Sequence, residues 1–528
     1  MEPAGTDADA DRGRTGGIEA TLSPRRGIAA SRRSGAHFSV DEDCQTGEGT
    51  SQPSWISRRL SHLGEEEVER RGDNTDALVV VLETGTSELR MGFAGDSEPR
   101  VRLPAFIARV ETEEASDQSR DLYLSKTAVG AEAFRAAAEG TATKVVRAYG
   151  AHPHHPLAAS KESYDNLFAL WNAALNQLLR ANGRSFSLQE GKLLALLATV
   201  PVVCDQRLAS CLLRWAFRTR GDVFGAVKLV ADARMAAYHH ILLHPDALSP
   251  EKGVLVVDVG EVAVRAVPVC GNALTPWRHG LRQTDTAGAL LTELLLLHQP
   301  RRGEENRGRK RGLDWADATE YKKQCFFVSL NPSLDLQLHR KHRQMHPPFL
   351  SQDGVLLQPS SDAFLIPEVL FTPQLLRNAN LSAIVNSMTQ PSLSHLVLEA
   401  FASATVCERA PWLSRICLVG GTARIPNFQH RLREELQSAW QSSNPSAYMQ
   451  RKETVNNRRC EMPGLATANC SIRVIVSDDP QLAVFRGASD FGRVAVLDES
   501  AWVTAEQYAE ASSVSCLEKW ALHQANFG

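Results

Sequence analysis

The chain has 528 residues, 43% of them apolar and 23% charged, with a formal net charge of −3; it is too long for one ordinary core and too near neutrality for a strong polyanion-binding field. Its ten cysteines show no C-x-x-C and no paired Cys/His spacing, which argues for a reduced compartment and against structural zinc. The longest apolar runs, such as "LLALLATVPVV" from Leu193, fall far short of a membrane span, and the N-terminus lacks the apolar core of a signal peptide, so neither insertion nor secretion is expected.

Residues 1–75 are rich in Gly, Ser, Arg and acids with little apolar periodicity, and read as a disordered extension. At Ala77 the pattern changes. "ALVVVLETGTSELRMGFAG" is an apolar strand closed by Glu83, a turn through Gly85, and a second strand carrying Arg90 seven residues after the acid. Leu167, Leu170, Trp171, Leu175 and Leu178 recur at helical spacing, predicting a helix over 163–182. "GKLLALLATVP" reads as a buried strand ending at Pro201, "LASCLLRWAF" as an amphipathic helix, and "AVKLV" as a strand.

"GVLVVDVGEVAVRAVPV" (Gly253 to Val269) then repeats the earlier layout: Asp258 ends a strand, Gly260 turns beside Glu261, and Arg265 follows the acid by the same seven residues. "TAGALLTELLLLH" is helical. Two polar stretches without periodicity, 299–312 and 441–470, read as surface insertions. Strands alternating with helices, and a hairpin beginning each half, predict an α/β protein of two related lobes.

A third glycine turn, "LVGGTARIP" (Leu418 to Pro426), precedes the helical "NFQHRLREELQSAW". Glycine turns leave amides free to face an anion and let phosphate approach the main chain. A carboxylate at a strand end can hold a hydrated cation. Any one of these turns is most simply an ordinary hairpin with a solvated acid at its tip. Two copies with matched spacing, followed by the third, point to a nucleotide cleft.

Several segments resemble actin and the actin-related proteins: "GFAGDSEPRVRLP" (Gly92 to Pro104), "AVGAEA" (Ala128 to Ala133), "VKLVADARMAAYHH" (Val227 to His240), "PEVLFTP" (Pro367 to Pro373), "LVGGTARIPNF" and "LAVFRGAS" (Leu482 to Ser489). They run in family order from about Ala77 to about Trp520. The resemblance implies a bilobed actin-like fold of the actin/Hsp70/hexokinase superfamily. Lobe I is then 76–240 with 484–528, and lobe II is 241–483, with a central nucleotide cleft between them. It implies ATP or ADP with Mg2+, held by Glu83, Gly85, Thr86, Ser87, Arg90, Asp258, Gly260, Glu261, Lys322, Gly420, Gly421 and Thr422. Glu83 and Asp258 would face the metal through water.

The departures from the family pattern concern the same cleft. Glu83 and Glu261 are a methylene longer than the usual aspartates, Ser87 and Val262 replace glycines, and Arg90 replaces a lysine. Asp232 stands where the family has the glutamine that orients the attacking water, and Arg265 where it has a histidine. Lys323 replaces a glutamate, Ile425 a base-stacking aromatic, and Gln481 a lysine. An acid facing a γ-phosphate repels charge instead of orienting water, so ATP hydrolysis is expected to be weak or absent, and the protein is not read as an enzyme. Nucleotide binding is left with two outcomes, retained through backbone amides or lost.

The polar "RVETEEASDQSRD" (Arg109 to Asp121) and the two insertions set the chain apart from conventional actin. "YHHILLHPDALSPEKGVLVVDVG", "YKKQCFFVSL" and "WVTAEQYAEASSVSCLEKW" resemble the sixth class of actin-related proteins, which serves chromatin remodellers; "GFAGD" is nearer to actin itself and to dynactin-type relatives. The expectation ranked first is a non-filamentous nuclear scaffold whose partners include a remodeller ATPase. A cytoplasmic, cytoskeletal actin-like protein is the alternative, and a small-molecule kinase comes third. Basic clusters at Ser23–Ser34 and Arg307–Gly312 read first as solvated charge runs and second as nuclear import signals, and His152–His155 reads as a proline-flanked turn. Neither membrane contact nor sequence-specific nucleic-acid binding is expected.

Overall fold

The computed structural model describes residues 79–110, 126–149, 161–181, 194–204, 206–248, 252–298, 314–341, 347–351, 354, 356–378, 391–402, 412–442, 471–495, 502–511 and 514–527. The extension 1–75, the insertion 299–312, most of 441–470, both basic clusters, the histidine tract and most of the acidic stretch after Arg109 lie outside them. Among the described residues no helix is long and apolar enough to cross a membrane.

Strands β1 (Val79–Glu83), β2 (Glu88–Phe93) and β3 (Val101–Pro104) begin a six-stranded sheet; β4 (Phe106–Val110), β5 (Lys126–Val129) and β6 (Ala142–Arg147) form a small sheet beside it. The large sheet continues through β7 (Leu194–Val200) and β8 (Phe224–Ala231). The second large sheet holds β9 (Val254–Val259), β10 (Val264–Cys270), β11 (Thr275–Pro276) and β12 (Arg282–Thr284). The two-residue strands β13 (Phe349–Leu350) and β14 (Leu356–Leu357) pair apart from it, before β15 (Ile416–Val419) and β16 (Val474–Val476) complete that sheet. Finally β17 (Val503–Thr504) returns to the edge of the first sheet, pairing antiparallel with β8.

The two sheets share one plan. In the first, β1 pairs antiparallel with β2 and parallel with β7, which pairs parallel with β8. In the second, β9 pairs antiparallel with β10 and parallel with β15, which pairs parallel with β16. This duplication explains the matched spacing. The hairpin register places Arg90 opposite Glu83, and Arg265 opposite Asp258, so an acid and an arginine seven residues apart face each other across each ladder.

Continuous apolar runs such as Val79–Leu82 are buried because helices cover both faces of the sheet. The helix Lys161–Ala181 buries Leu167, Leu170, Trp171, Leu175 and Leu178, as its spacing predicts. The helix Gln206–Arg214 loosens into a π-turn over Trp215–Thr219, where Trp215 packs against Trp171 at 5.4 Å and Phe224 at 5.5 Å. The helix Gly288–His298 is apolar nearly all round and correspondingly buried.

Two helices, Asp232–Leu243 and Ala483–Ala495, join the lobes, and the expected lobe boundaries at 240/241 and 483/484 fall inside them. They pack so closely that a β-carbon on Gly487 would lie 1.9 Å from the Met235 carbonyl oxygen. Ala233, Ala236 and Ala483 pack with Val254, Val256 and Val419 of the second sheet, while Met235, Phe485 and Ala488 pack with Val79 and Val81 of the first.

Candidate functional site

A cavity of about 340 Å³ lies between the two hairpins. All twelve residues expected from the sequence line it: Glu83, Gly85, Thr86, Ser87 and Arg90 from the first hairpin, Asp258, Gly260 and Glu261 from the second, Lys322 from the helix Trp315–Cys325, and Gly420, Gly421 and Thr422 from the third turn. Asp232, Arg265, Lys323, Ile425 and Gln481 line it as well. Val262 is buried and is not part of the lining.

The glycines are dictated by backbone proximity. A β-carbon on Gly85 would meet the Glu88 carbonyl at 2.2 Å; Gly420 adopts φ +100°, and a β-carbon there would meet the Val259 carbonyl at 2.4 Å. The third turn is tied to the second hairpin by Thr422, whose hydroxyl donates to the Gly260 carbonyl at 2.9 Å. The first hairpin is tied to β7 by Thr84, whose hydroxyl donates to the Thr199 carbonyl at 2.7 Å.

Charge is arranged as closed pairs. Arg90 binds the Glu83 carboxylate through Nη1 and the Glu88 carboxylate through Nε, the latter at 2.9 Å. Arg265 Nη1 lies 3.4 Å from Asp232 and 3.6 Å from Asp258. Lys322 Nζ donates to Glu261 at 2.9 Å and to the Gly288 carbonyl at 2.8 Å. Burial pushes the Glu83 and Asp258 carboxyls up to about 7 each, against the pull of Arg90 and Arg265 respectively. Burial likewise raises Asp232, opposed by Arg265 and the Ala233 amide. Glu261 goes the other way: burial opposes its charge, but Lys322 and Arg147 together hold it below the ordinary range.

Sequence reasoning did not single out Glu88, Thr84, Thr199 or Arg424, which also line the cavity or tie it together. Glu88 was visible as a second acid beside the turn. Thr199, 115 residues from Thr84, carries no local signal.

Two lobes of one plan, each presenting an acid–glycine hairpin to a shared cavity and joined by two crossing helices, define a bilobed actin-like protein. The chain belongs to the actin family: the family model described as Actin matches residues 74–301 and 318–520. Among curated proteins it is similar to Actin-related protein 2 of Schizosaccharomyces pombe, 22% identical over 82% of this chain and 95% of that one. It is similar to Actin-related protein 2 of Saccharomyces cerevisiae, 25% identical over 68% of this chain and 81% of that one. The Arabidopsis thaliana protein of the same name is 21% identical over 84% of this chain and 98% of its own length.

Actin-family proteins generally bind ATP or ADP with Mg2+, and the cavity can be tested against that group. Its shape fits, because a cavity of about 340 Å³ opens between glycine turns, whose main chain can approach an anion. Its charge does not. Five carboxylates (Glu83, Glu88, Asp232, Asp258, Glu261) face five cations (Arg90, Arg265, Lys322, Lys323, Arg424), and Arg90, Arg265 and Lys322 are each already neutralised. Glu83 and Asp258, the acids expected to hold the cation through water, each carry an arginine and are each drawn toward the protonated form. Among the described residues no three His, Cys, Asp or Glu side chains converge to bind a metal directly.

Proposed function

We propose that this is a non-hydrolysing actin-related protein that works as a structural subunit of a cytoskeletal assembly. The non-hydrolytic part is carried by one observation, Arg265 lying between Asp232 and Asp258 at 3.4 and 3.6 Å. Asp232 stands where the family resemblance implies the side chain that orients attacking water. Here its Oδ1 accepts from the Ala233 amide at 2.7 Å and its Oδ2 faces Arg265. A paired carboxylate in that place neither presents an amide to water nor tolerates a γ-phosphate beside it, and lost positioning of this kind costs orders of magnitude in rate. Binding of ATP or ADP with Mg2+ is weakened by the same neutralised charge, and any nucleotide held serves stability.

The cytoskeletal part rests on the relatives. Proteins named Actin-related protein 2 align along 95% and 98% of their lengths in fission yeast and Arabidopsis, which favours this reading over the chromatin-remodeller scaffold suggested by short stretches of sequence. Partners are then protein subunits of a larger complex in the cytoplasm. Membrane contact and sequence-specific nucleic-acid binding have no part in it.

Two measurements test the reading. Purified full-length chain with Mg-ATP is expected to release phosphate at the background rate, and turnover matching conventional actin would overturn the non-hydrolytic assignment. Tagged chain purified from its own cells is expected to bring down cytoskeletal subunits in fixed stoichiometry. Recovery of a remodeller ATPase with histone-binding subunits would replace the reading with the nuclear one.

A further inference from the structure

Glu88 opens β2 immediately after the first glycine turn and lines the cavity. Its Oε2 accepts from Arg90 Nε at 2.9 Å and from Gln481 Nε2 at 3.2 Å. Gln481 belongs to the other lobe, 393 residues away, where its Oε1 accepts from Arg424 at 3.0 Å and its backbone amide donates to Asp479 at 3.0 Å. Arg90 Nη1 is taken by Glu83, and the Arg90 side chain is only 7% exposed. One carboxylate thus gathers a guanidinium from the first lobe and an amide N–H from the second, at the centre of a cleft whose shape suits phosphate. A phosphate oxygen in the same place would make those two contacts.

We propose that Glu88 is an internal anion that stands in for a bound phosphate: it occupies Arg90 Nε and, through Gln481, ties the two lobes together without any ligand. The ligand class it opposes is the polyphosphate anion, which can take the Arg90 Nε contact only by displacing the Glu88 carboxylate. That carboxylate is displaceable, being 24% exposed, whereas Glu83 on the other arm is 10% exposed. The inference goes beyond the functional reading above and holds whichever assembly the protein joins.

The test uses the full-length chain and inorganic tripolyphosphate, followed by calorimetric titration. Wild-type protein is expected to bind it weakly, and Glu88→Gln, which keeps the shape and removes the charge, to bind at least about tenfold more tightly, the factor expected for one charge-assisted contact. Affinities within about threefold of each other would overturn this opposition. A second variant keeps the bridging role falsifiable if Glu88→Gln folds poorly. Gln481→Leu cuts the bridge, and with it the Arg424 contact, while leaving Glu88 on Arg90, so without ligand the amides of Thr86–Arg90 and Gly420–Thr422 are expected to exchange with solvent faster. Tripolyphosphate affinity is expected to change little, because Glu88 still holds Arg90. Exchange unchanged from wild type would mean that Glu88 does not tie the lobes together.

Discussion

Arg265 lies opposite Asp258 in the register of the second hairpin and reaches past it to Asp232 at the head of a helix that joins the lobes. One guanidinium, 13% exposed, therefore neutralises two acids that would otherwise repel each other in the cleft. Arg265→Ala takes their shared cation from both acids and is expected to lower unfolding stability by about 3 kcal/mol, the usual size for breaking a buried ion pair from one side. The double variant Asp258→Asn with Arg265→Gln should lose less than the sum of its single changes in denaturant titration. Strict additivity would show that the pairing does not hold the hairpin.

Glu83 and Asp258 give the cleft a pH dependence of definite sign. Each carboxyl has its folded value raised to about 7, from ordinary values of 4.5 and 3.8, so folding favours the protonated form. That contribution is complete below the ordinary values and is lost as pH rises toward 7. Glu83→Gln has no such loss. Its stability relative to wild type is therefore expected to climb between about pH 4.5 and 7, read from thermal unfolding across buffers. A flat difference would show that Glu83 ionises in the fold as it does in water.

His240 behaves in the opposite sense. It is fully buried in the crossing helix with neither ring nitrogen bonded among the described residues, its ring 6.0 Å from that of His239 and 6.4 Å from that of His244. Burial, with His239 and His244 adding to it, lowers its value from 6.5 to about 3. The folded form keeps it neutral while the unfolded chain takes a proton, so stability falls as pH drops below 6.5. His240→Phe, close in shape, is expected to gain about 1 kcal/mol at neutral pH from removing unsatisfied polar atoms. The gain should widen below pH 6.5, and a loss at every pH would mean that the ring has a partner.

Gly487 sets how closely the two crossing helices approach. Gly487→Ala would place a β-carbon 1.9 Å from backbone and must push the helices apart, an overpacking cost of about 3 kcal/mol. Gly140→Ala offers the comparison, since nothing lies within 4 Å there and only its φ of +74° resists substitution. Thermal unfolding should show the larger loss at Gly487.

What the chain makes legible is what it repeats locally. The seven-residue spacing from Glu83 to Arg90 and from Asp258 to Arg265 is a hairpin register written in sequence, and the glycine turns mark where main chain meets main chain. The helix carrying Trp171 follows from its own periodicity. The bond from Gln481 to Glu88 has no such signature, because each residue is an ordinary polar side chain until the fold brings them together. The same holds for Thr199, and for the π-turn at Trp215, which is set by packing against Trp171 and Phe224 rather than by propensity. Arg90 is legible as a cation near phosphate and Lys322 as one in the adenine pocket; their prior engagement by Glu83, Glu88 and Glu261 is not, since pairing depends on side-chain reach in three dimensions.

The return of β17 to the edge of the first sheet has a consequence for synthesis on the ribosome. Val503 pairs with Val227, and Phe485, Ala488 and Trp502 share a core with Val79 and Val81. The lobe translated first therefore keeps an open strand edge and an uncovered apolar face until residues 483–504 have emerged. During that interval the nascent polypeptide carries the surface that chaperones recognise and that other chains aggregate upon.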